Sequence, residues 1–351
     1  MTLAEVARRA GVSPSTVSRA LNNTGRVSKT TRARVRRIAK ELRYRPDINA
    51  QTLAGGNSRT LGLIVSNLQN PFFLDIFRVI EADAHQAGYA VVVANTDYRP
   101  QQLAAAAQWM LGQRVAGLAL VVSEREPAVI DDLAGEELPV VFYDVGSPGP
   151  NVTNVKTDYY LGMQRVVEYL YALGHRRMAF VGHHADLKPL QDRKRSFLKA
   201  VARFSDGTEP ANAYGSDSPA GGYQATRSLL SSGFLPSAII CVNDFMALGA
   251  LRALREQGLA VPEDVSVVGY DNIGLSDYST PALTTVDVPR DKIGHAVSSA
   301  LLSPRRTSGE EVRDIVIQPE LIVRDSTGPA GRDRERSDRP VDLPLELDLD
   351  Q

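Results

Sequence analysis

Between residues 59 and 326 short apolar runs alternate with amphipathic helical stretches, and they do so twice over. The first series reads TLGLIVS, a helix from Pro71, YAVVVAN, a helix around 103–111, VAGLALVV and LPVVFYD. The second opens with a helix at 159–173 and continues with RMAFVG, helices around 193–201 and 223–230, SAIICVN, a helix through 246–257 and VSVVGYD. VPRDKIGHAVSSALL adds a last helix, and DIVIQPELIVRDS closes with strands. Continuous apolar runs suit strands buried on both faces. Strand–helix–strand repetition builds parallel sheets covered by helices. Two such series predict an α/β core of two doubly wound lobes.

The first 45 residues follow a different pattern. Leu3, Val6, Ala7 and Ala10 recur at helical spacing, and Gly11 follows the last turn, where a left-handed residue ends a helix. Ser13 offers a cap to a second helix and Pro14 falls at its first position, where the missing N–H is not needed. Val17 and Leu21 form the expected buried seam, leaving Pro14, Ser15, Ser18, Arg19 and Asn22 outside it. Two short helices joined by a Gly-containing turn make a helix-turn-helix, whose second helix fits the major groove of DNA. Ser28 is placed to cap a third helix, 29–44, with Val35, Ile38, Ala39 and Leu42 as its buried stripe.

Charge separates the two regions. Residues 1–60 carry thirteen Lys or Arg against Glu5, Glu41 and Asp47, a net +10, within a chain whose total is −1. The remainder is therefore −11. A basic head on an acidic body is the footprint of a polyanion-binding module attached to something else. One cysteine, Cys241 in an apolar run, excludes a disulfide framework and a cysteine zinc cluster. The histidines are scattered, and no P-loop, GxGxxG, HExxH or Ser-His-Asp order is legible, so neither an enzyme nor a cofactor or metal is expected. With no apolar run near 18 residues and no leader-like N-terminus, a cytoplasmic protein without membrane contact is expected.

AEVARRAGVSPSTVSRALNN, VSKTTRARV and LRYRPDINAQTLAGG, followed by GLIVSNLQNPFF, ICVNDFMALGA and VSVVGYDN, resemble the LacI (lac repressor) family of bacterial transcription regulators over residues 2–325. The resemblance implies an all-α helix-turn-helix head at 1–45, a hinge helix and linker at 46–57, and a core at 58–327 with the periplasmic-binding-protein fold. The chain of that fold passes between lobes three times, here near Lys156, Val288 and Gln318. It implies a homodimeric repressor of carbohydrate-utilisation genes that binds palindromic double-stranded operator DNA and answers to a sugar or sugar derivative. By family position the DNA-binding residues are Pro14, Ser15, Thr16, Ser18, Arg19 and Asn22, with Ala50 and Leu53 on the hinge. Arg19 is the base reader, since a guanidinium pairs bidentately with guanine O6 and N7, and Leu53 matches a leucine that wedges into the minor groove. An unstructured linker remains the plain alternative for 46–57. A sugar-binding receptor with no DNA role shares the two lobes but has no use for a basic head.

Ligands of doubly wound sheets sit outside the carboxyl ends of the strands. Asn67, Asn70, Asp97, Asp144, Asn243, Asp244 and Asp271 stand at those ends. Carboxylates and amides there suit a polyhydroxylated ligand, although each alone reads equally well as a helix cap. The family's ligand contacts map onto Asp144, Arg193, Asn243 and Asp271, and its apolar wall onto Phe72 or Phe73, beside Asn70. Arg290 replaces an aromatic, which opens the alternative of a phosphorylated or acidic ligand. Trp109 is expected in the core, and residues 328–351 form a tail that composition marks as disordered.

Overall fold

The computed structural model describes residues 2–23, 25–44, 58–183, 187–204, 209–303 and 314–331. The hinge positions Ala50 and Leu53, and the tail from 332 on, lie outside the described residues.

In the head, α1 (Leu3–Ala10) ends at Gly11, whose φ of 63° lets its N–H reach back to the carbonyls of Ala7 and Arg8. The second helix, α2 (Pro14–Leu21), is capped by Ser13 Oγ, which accepts the Thr16 N–H at 3.2 Å. Ser28 caps α3 (Lys29–Glu41) in the same way through Thr31. Val6, Ala7, Ala10, Val17, Ala20, Val35, Ile38, Ala39 and Leu42 form one buried cluster. Ala20 takes the place expected of Leu21, which is half-buried. The third helix stops three residues early because Arg43 turns left-handed, at φ 50°.

Among the described residues the core contains two six-stranded sheets. β1 (Thr60–Val65), β2 (Ala90–Asn95), β3 (Gly117–Val121), β4 (Val140–Tyr143), β5 (Val152–Thr157) and β11 (Ile315–Ile317) run in the order β11-β5-β4-β3-β1-β2, all parallel. The other sheet, β12-β10-β9-β8-β6-β7, comprises β6 (Met178–His183), β7 (Ala211–Gly215), β8 (Ala238–Cys241), β9 (Ser266–Asp271), β10 (Thr284–Asp287) and β12 (Glu320–Ile322). Only β12 is antiparallel to its neighbour there. The chain leaves the first sheet after Thr157, returns after Asp287 and splits its last two strands between the sheets on either side of Gln318. These are the three predicted passages.

Each switch point lies where the second strand of a series turns outward and the third pairs on the other side of the first, so the ends of β1, β3, β6 and β8 face the space between the lobes. Helices α4 (Pro71–Gln86), α5 (Pro100–Gly112), α6 (Pro127–Ala134) and α7 (Tyr159–Ala172) follow the strands in order. They continue as α8 (Lys188–Phe204), α9 (Pro219–Ser231), α10 (Asp244–Glu256) and α11 (Arg290–Leu302). Strands β5, β7 and β10 and helix α6 escaped the sequence reading. VTNVKT, ANAYG and TTVD are short and half polar, so their burial comes from neighbours rather than from their own composition. Trp109 corrects another expectation: it is 51% exposed on α5, whose buried face is Leu103, Ala107 and Met110. Residues 328–331, assigned to the tail by composition, are tied to the second lobe by bonds between Gly328 and Ser266 and between the Ala330 N–H and the Leu173 carbonyl.

Helices α9 and α10 approach until their backbones touch, which Gly222 and Gly249 permit. A Cβ on Gly249 falls 1.8 Å from the Pro219 carbonyl oxygen. Gly249→Ala is therefore expected to destabilise the core by about 1–3 kcal/mol or more, read as a lower urea midpoint. An unchanged midpoint would show that the two helices can separate freely.

Candidate functional site

On the head, Pro14, Ser15, Arg19 and Asn22 are exposed along one side of α2, while Thr16 and Ser18 are half-buried. The Thr16 hydroxyl lies 2.8 Å from Ser13 Oγ, and Ser18 Oγ accepts from the Asn22 amide at 3.5 Å. These two residues thus hold the helix start and its exposed Asn22. The stem of Arg19 runs over Gly25, where a Cβ would lie 3.0 Å away, and no ion pair among the described residues claims its guanidinium. Arg36 donates to Asn23 Oδ1 at 2.7 Å and so fixes the turn after α2 against α3.

In the core, Asn70, Phe72, Phe73, Arg193, Asn243 and Asp271 come together around one cavity between the lobes. Asn70 and Asn243 show how one carboxamide serves as cap and as wall. Each Oδ1 accepts a helix N–H, from Phe72 at 3.1 Å and from Met246 at 2.9 Å, and each Nδ2 is left to point at the cavity. Both amides find Asp217, which the sequence reading did not select as a polar contact. Its Oδ1 accepts Asn243 Nδ2 at 2.6 Å and its Oδ2 accepts Asn70 Nδ2 at 3.3 Å. Asn67 Nδ2, at 3.4 Å, and the Tyr98 hydroxyl also donate to Oδ2. Burial and the Asp217 charge hold the Tyr98 phenol well above its usual range, so it remains a donor. Phe72, Phe73, Tyr98, Tyr143 and Tyr159 supply ring surface. The aromatic residues carried the only available signal, but Tyr98, Tyr143 and Tyr159 sit in three separate segments that no local pattern links.

Arg193 is 4% exposed, with its guanidinium 4.9 Å from the Tyr159 ring centre and 4.4 Å from that of Tyr270. Its Nη1 donates to the Val242 carbonyl at 2.7 Å and its Nη2 lies 3.1 Å from Asp271 Oδ1. That ion pair is poorly aligned: Arg193 Nε and Asp271 Oδ1 both lack a hydrogen-bond partner. Burial outweighs the nearby cation and pushes the Asp271 carboxyl up to about 7. Charged buried groups left short of partners are what a ligand's hydroxyls can satisfy.

Two predicted contacts lie elsewhere. Asp144, pushed up to about 6 by burial, gives Oδ1 to the Thr157 N–H at 3.0 Å and Oδ2 to the Tyr159 hydroxyl. It braces the first passage between lobes and lines an adjoining cavity with Lys188 and Asp192. Arg290 is outside the interlobe cavity altogether. Its Nε is 3.1 Å from Asp75 Oδ2 and its Nη1 donates to the Asp271 backbone carbonyl. The guanidinium is spent on α4 and on the last residue of β9, so it gives no ground for an anionic ligand. Asp97 is exposed and paired with Arg99 at 3.0 Å. Asp244 is buried beneath the site, accepting from Ser276, Thr285 and the Ile273 N–H. No group of three or more metal-ligating side chains occurs among the described residues, and no helix there is long and apolar enough to cross a membrane.

Comparison with known proteins agrees with this arrangement. Residues 2–47 match bacterial regulatory proteins of the lacI family, and residues 167–327 match a periplasmic binding protein-like domain. The HTH-type transcriptional repressor PurR of Histophilus somni is 32% identical, over 93% of this chain and 98% of that protein. The solved lac repressor dimer bound to operator and the anti-inducer ONPF superposes with a TM-score of 0.82 at 32% identity, covering 93% of this chain and 99% of that one. A complex of the transcriptional regulator CelR with cellobiose gives 0.67 at 29% identity, with 93% and 99% covered. With a capped helix-turn-helix, two doubly wound lobes and full-length likeness to repressors, the chain belongs to the LacI family and is a DNA-binding transcriptional repressor, not an enzyme.

Proposed function

We propose that this repressor binds a palindromic operator as a homodimer and releases or engages it when a neutral sugar or sugar derivative enters the interlobe cleft. The observation that carries the ligand class is the wall of the cavity: amides of Asn70 and Asn243, carboxylates of Asp217 and Asp271, the Arg193 guanidinium and several aromatic faces. Hydroxyl groups both donate and accept, and rings stack on the apolar faces of sugars, so this mixture suits a polyol. The cellobiose complex of the CelR relative supports the same class. A two-fold dimer imposes two-fold symmetry on its site, and the operator-bound dimer of the lac repressor supports that assembly here. Pro14, Ser15, Arg19 and Asn22 are the reading surface, with Thr16 and Ser18 holding it. Ala50 and Leu53 extend the DNA contact from the hinge segment, with Leu53 entering the minor groove. The ligand acts by differential affinity for DNA-competent and incompetent forms, a population shift rather than a relay.

The test begins with the full chain selecting DNA from a random pool. The selected DNA is then titrated with and without cellobiose, ribose and other neutral sugars. The expected result is a palindromic consensus and a several-fold change in affinity with one of these sugars. An asymmetric consensus would overturn the dimeric reading, and affinity indifferent to every neutral sugar would overturn the ligand class.

A further inference from the structure

The four donors on Asp217 come from both sides of the cleft. Asn67 and Asn70 follow β1 and Tyr98 follows β2, all in the first lobe. Asp217 lies between β7 and α9 and Asn243 after β8, both in the second. Asp217 is 8% exposed, and among the described residues no cation pairs with it. The cavity bounded by these contacts holds about 30 Å³. Ligand pockets run from about 300 Å³ upward, so a sugar enters only after the lobes part and Asn67, Asn70 and Tyr98 let go of the carboxylate. Once the lobes close on a ligand, that carboxylate is a buried charge stripped of three donors, a costly condition unless the ligand replaces them.

We propose that Asp217 is both the lock between the lobes and the residue that selects the ligand. It demands hydrogen-bond donors, in hydroxyl or amine form, and repels phosphate or carboxylate. The selection rests on the cleft being the effector site; the lock does not. Arg193 does not reverse the selection, because its Nη1 is donated to the Val242 carbonyl and its Nη2 lies 3.1 Å from Asp271 Oδ1, and Arg290 is turned onto Asp75.

The lock is read without any ligand, by amide hydrogen exchange on the full chain. The Gln69 and Phe72 N–H groups are held by Asn67 Oδ1 and Asn70 Oδ1 at 2.9 and 3.1 Å. Releasing those side chains from Asp217 exposes both amides. Asp217→Ala is expected to speed their exchange about tenfold or more, and Tyr98→Phe by a smaller factor, while strands β3 and β8 keep their protection. Tyr98→Phe decides the matter if Asp217→Ala fails to fold. Unchanged exchange at Gln69 and Phe72 in the folded variants overturns the lock. The selection is read by thermal shift of the wild type with ribose, glucose, glucosamine and adenosine, each beside its phosphorylated form. Shifts confined to uncharged and amine-bearing members support it. A larger shift with a phosphorylated member than with its parent overturns it, and so does silence across the panel. The regulator reading is judged separately, by the DNA titration.

Discussion

Arg193→Ala is expected to lower the unfolding free energy of the core by about 3–5 kcal/mol at pH 8, because it strands a buried partner charge. The guanidinium contacts Asp271 and the Val242 carbonyl and lies over two tyrosine rings. Without it only the weaker field of the Arg290 guanidinium, already turned onto Asp75, offsets the Asp271 carboxylate, whose pKa burial has already raised to about 7. A carboxyl with a raised folded-state pKa favours the fold while protonated and loses that contribution as pH climbs through the folded value. The deficit of the variant is therefore expected to shrink between pH 8 and pH 5, where Asp271 takes up a proton and needs no cation. Urea titrations of wild type and variant at both pH values check this. Equal deficits at the two pH values would mean that lost packing on Tyr159 and Tyr270, rather than the stranded charge, accounts for the effect. The variant is also expected to lose its response to any sugar that the wild type answers.

The second large effect belongs to the head. Arg19→Ala is expected to weaken binding to selected operator DNA roughly ten- to hundredfold while leaving affinity for random DNA nearly unchanged. Arg19 is exposed on α2, its stem over Gly25. The many other cations of the head supply the sequence-independent attraction to phosphate. Arg36→Ala, by contrast, frees the turn at Asn23 and is a control for indirect loss of the reading surface. The measurement is the affinity for both DNAs at two salt concentrations. Equal loss on both, with a changed salt slope, would make Arg19 a phosphate contact.

The sequence by itself determined the parts of this protein that local physics controls. Caps at Ser13 and Ser28, the left-handed Gly11 and the helical spacing of Val6, Ala10, Val35 and Ile38 specify the head, since each acts within a turn of itself. Long apolar runs such as TLGLIV and SVVGYD declare central strands, because only a strand covered on both faces hides every side chain. Asn70, Asn243 and Asp271 were legible as polar residues at the ends of such elements, and Arg193 only through the family resemblance. The tertiary structure alone decided what those residues meet. Asp217 receives Asn67 from 150 positions away, and nothing within either loop announces the other. Arg290 reads as a free cation in the chain and becomes an α4 contact because Asp75, 215 positions earlier, is folded beside it. Asp144 reads as a ligand contact, yet both its oxygens are taken by Thr157 and Tyr159 once the first passage between lobes is made. Short polar loops after strands look alike in sequence, and burial and distance, which only the assembled lobes set, separate a wall of the cleft from a brace behind it.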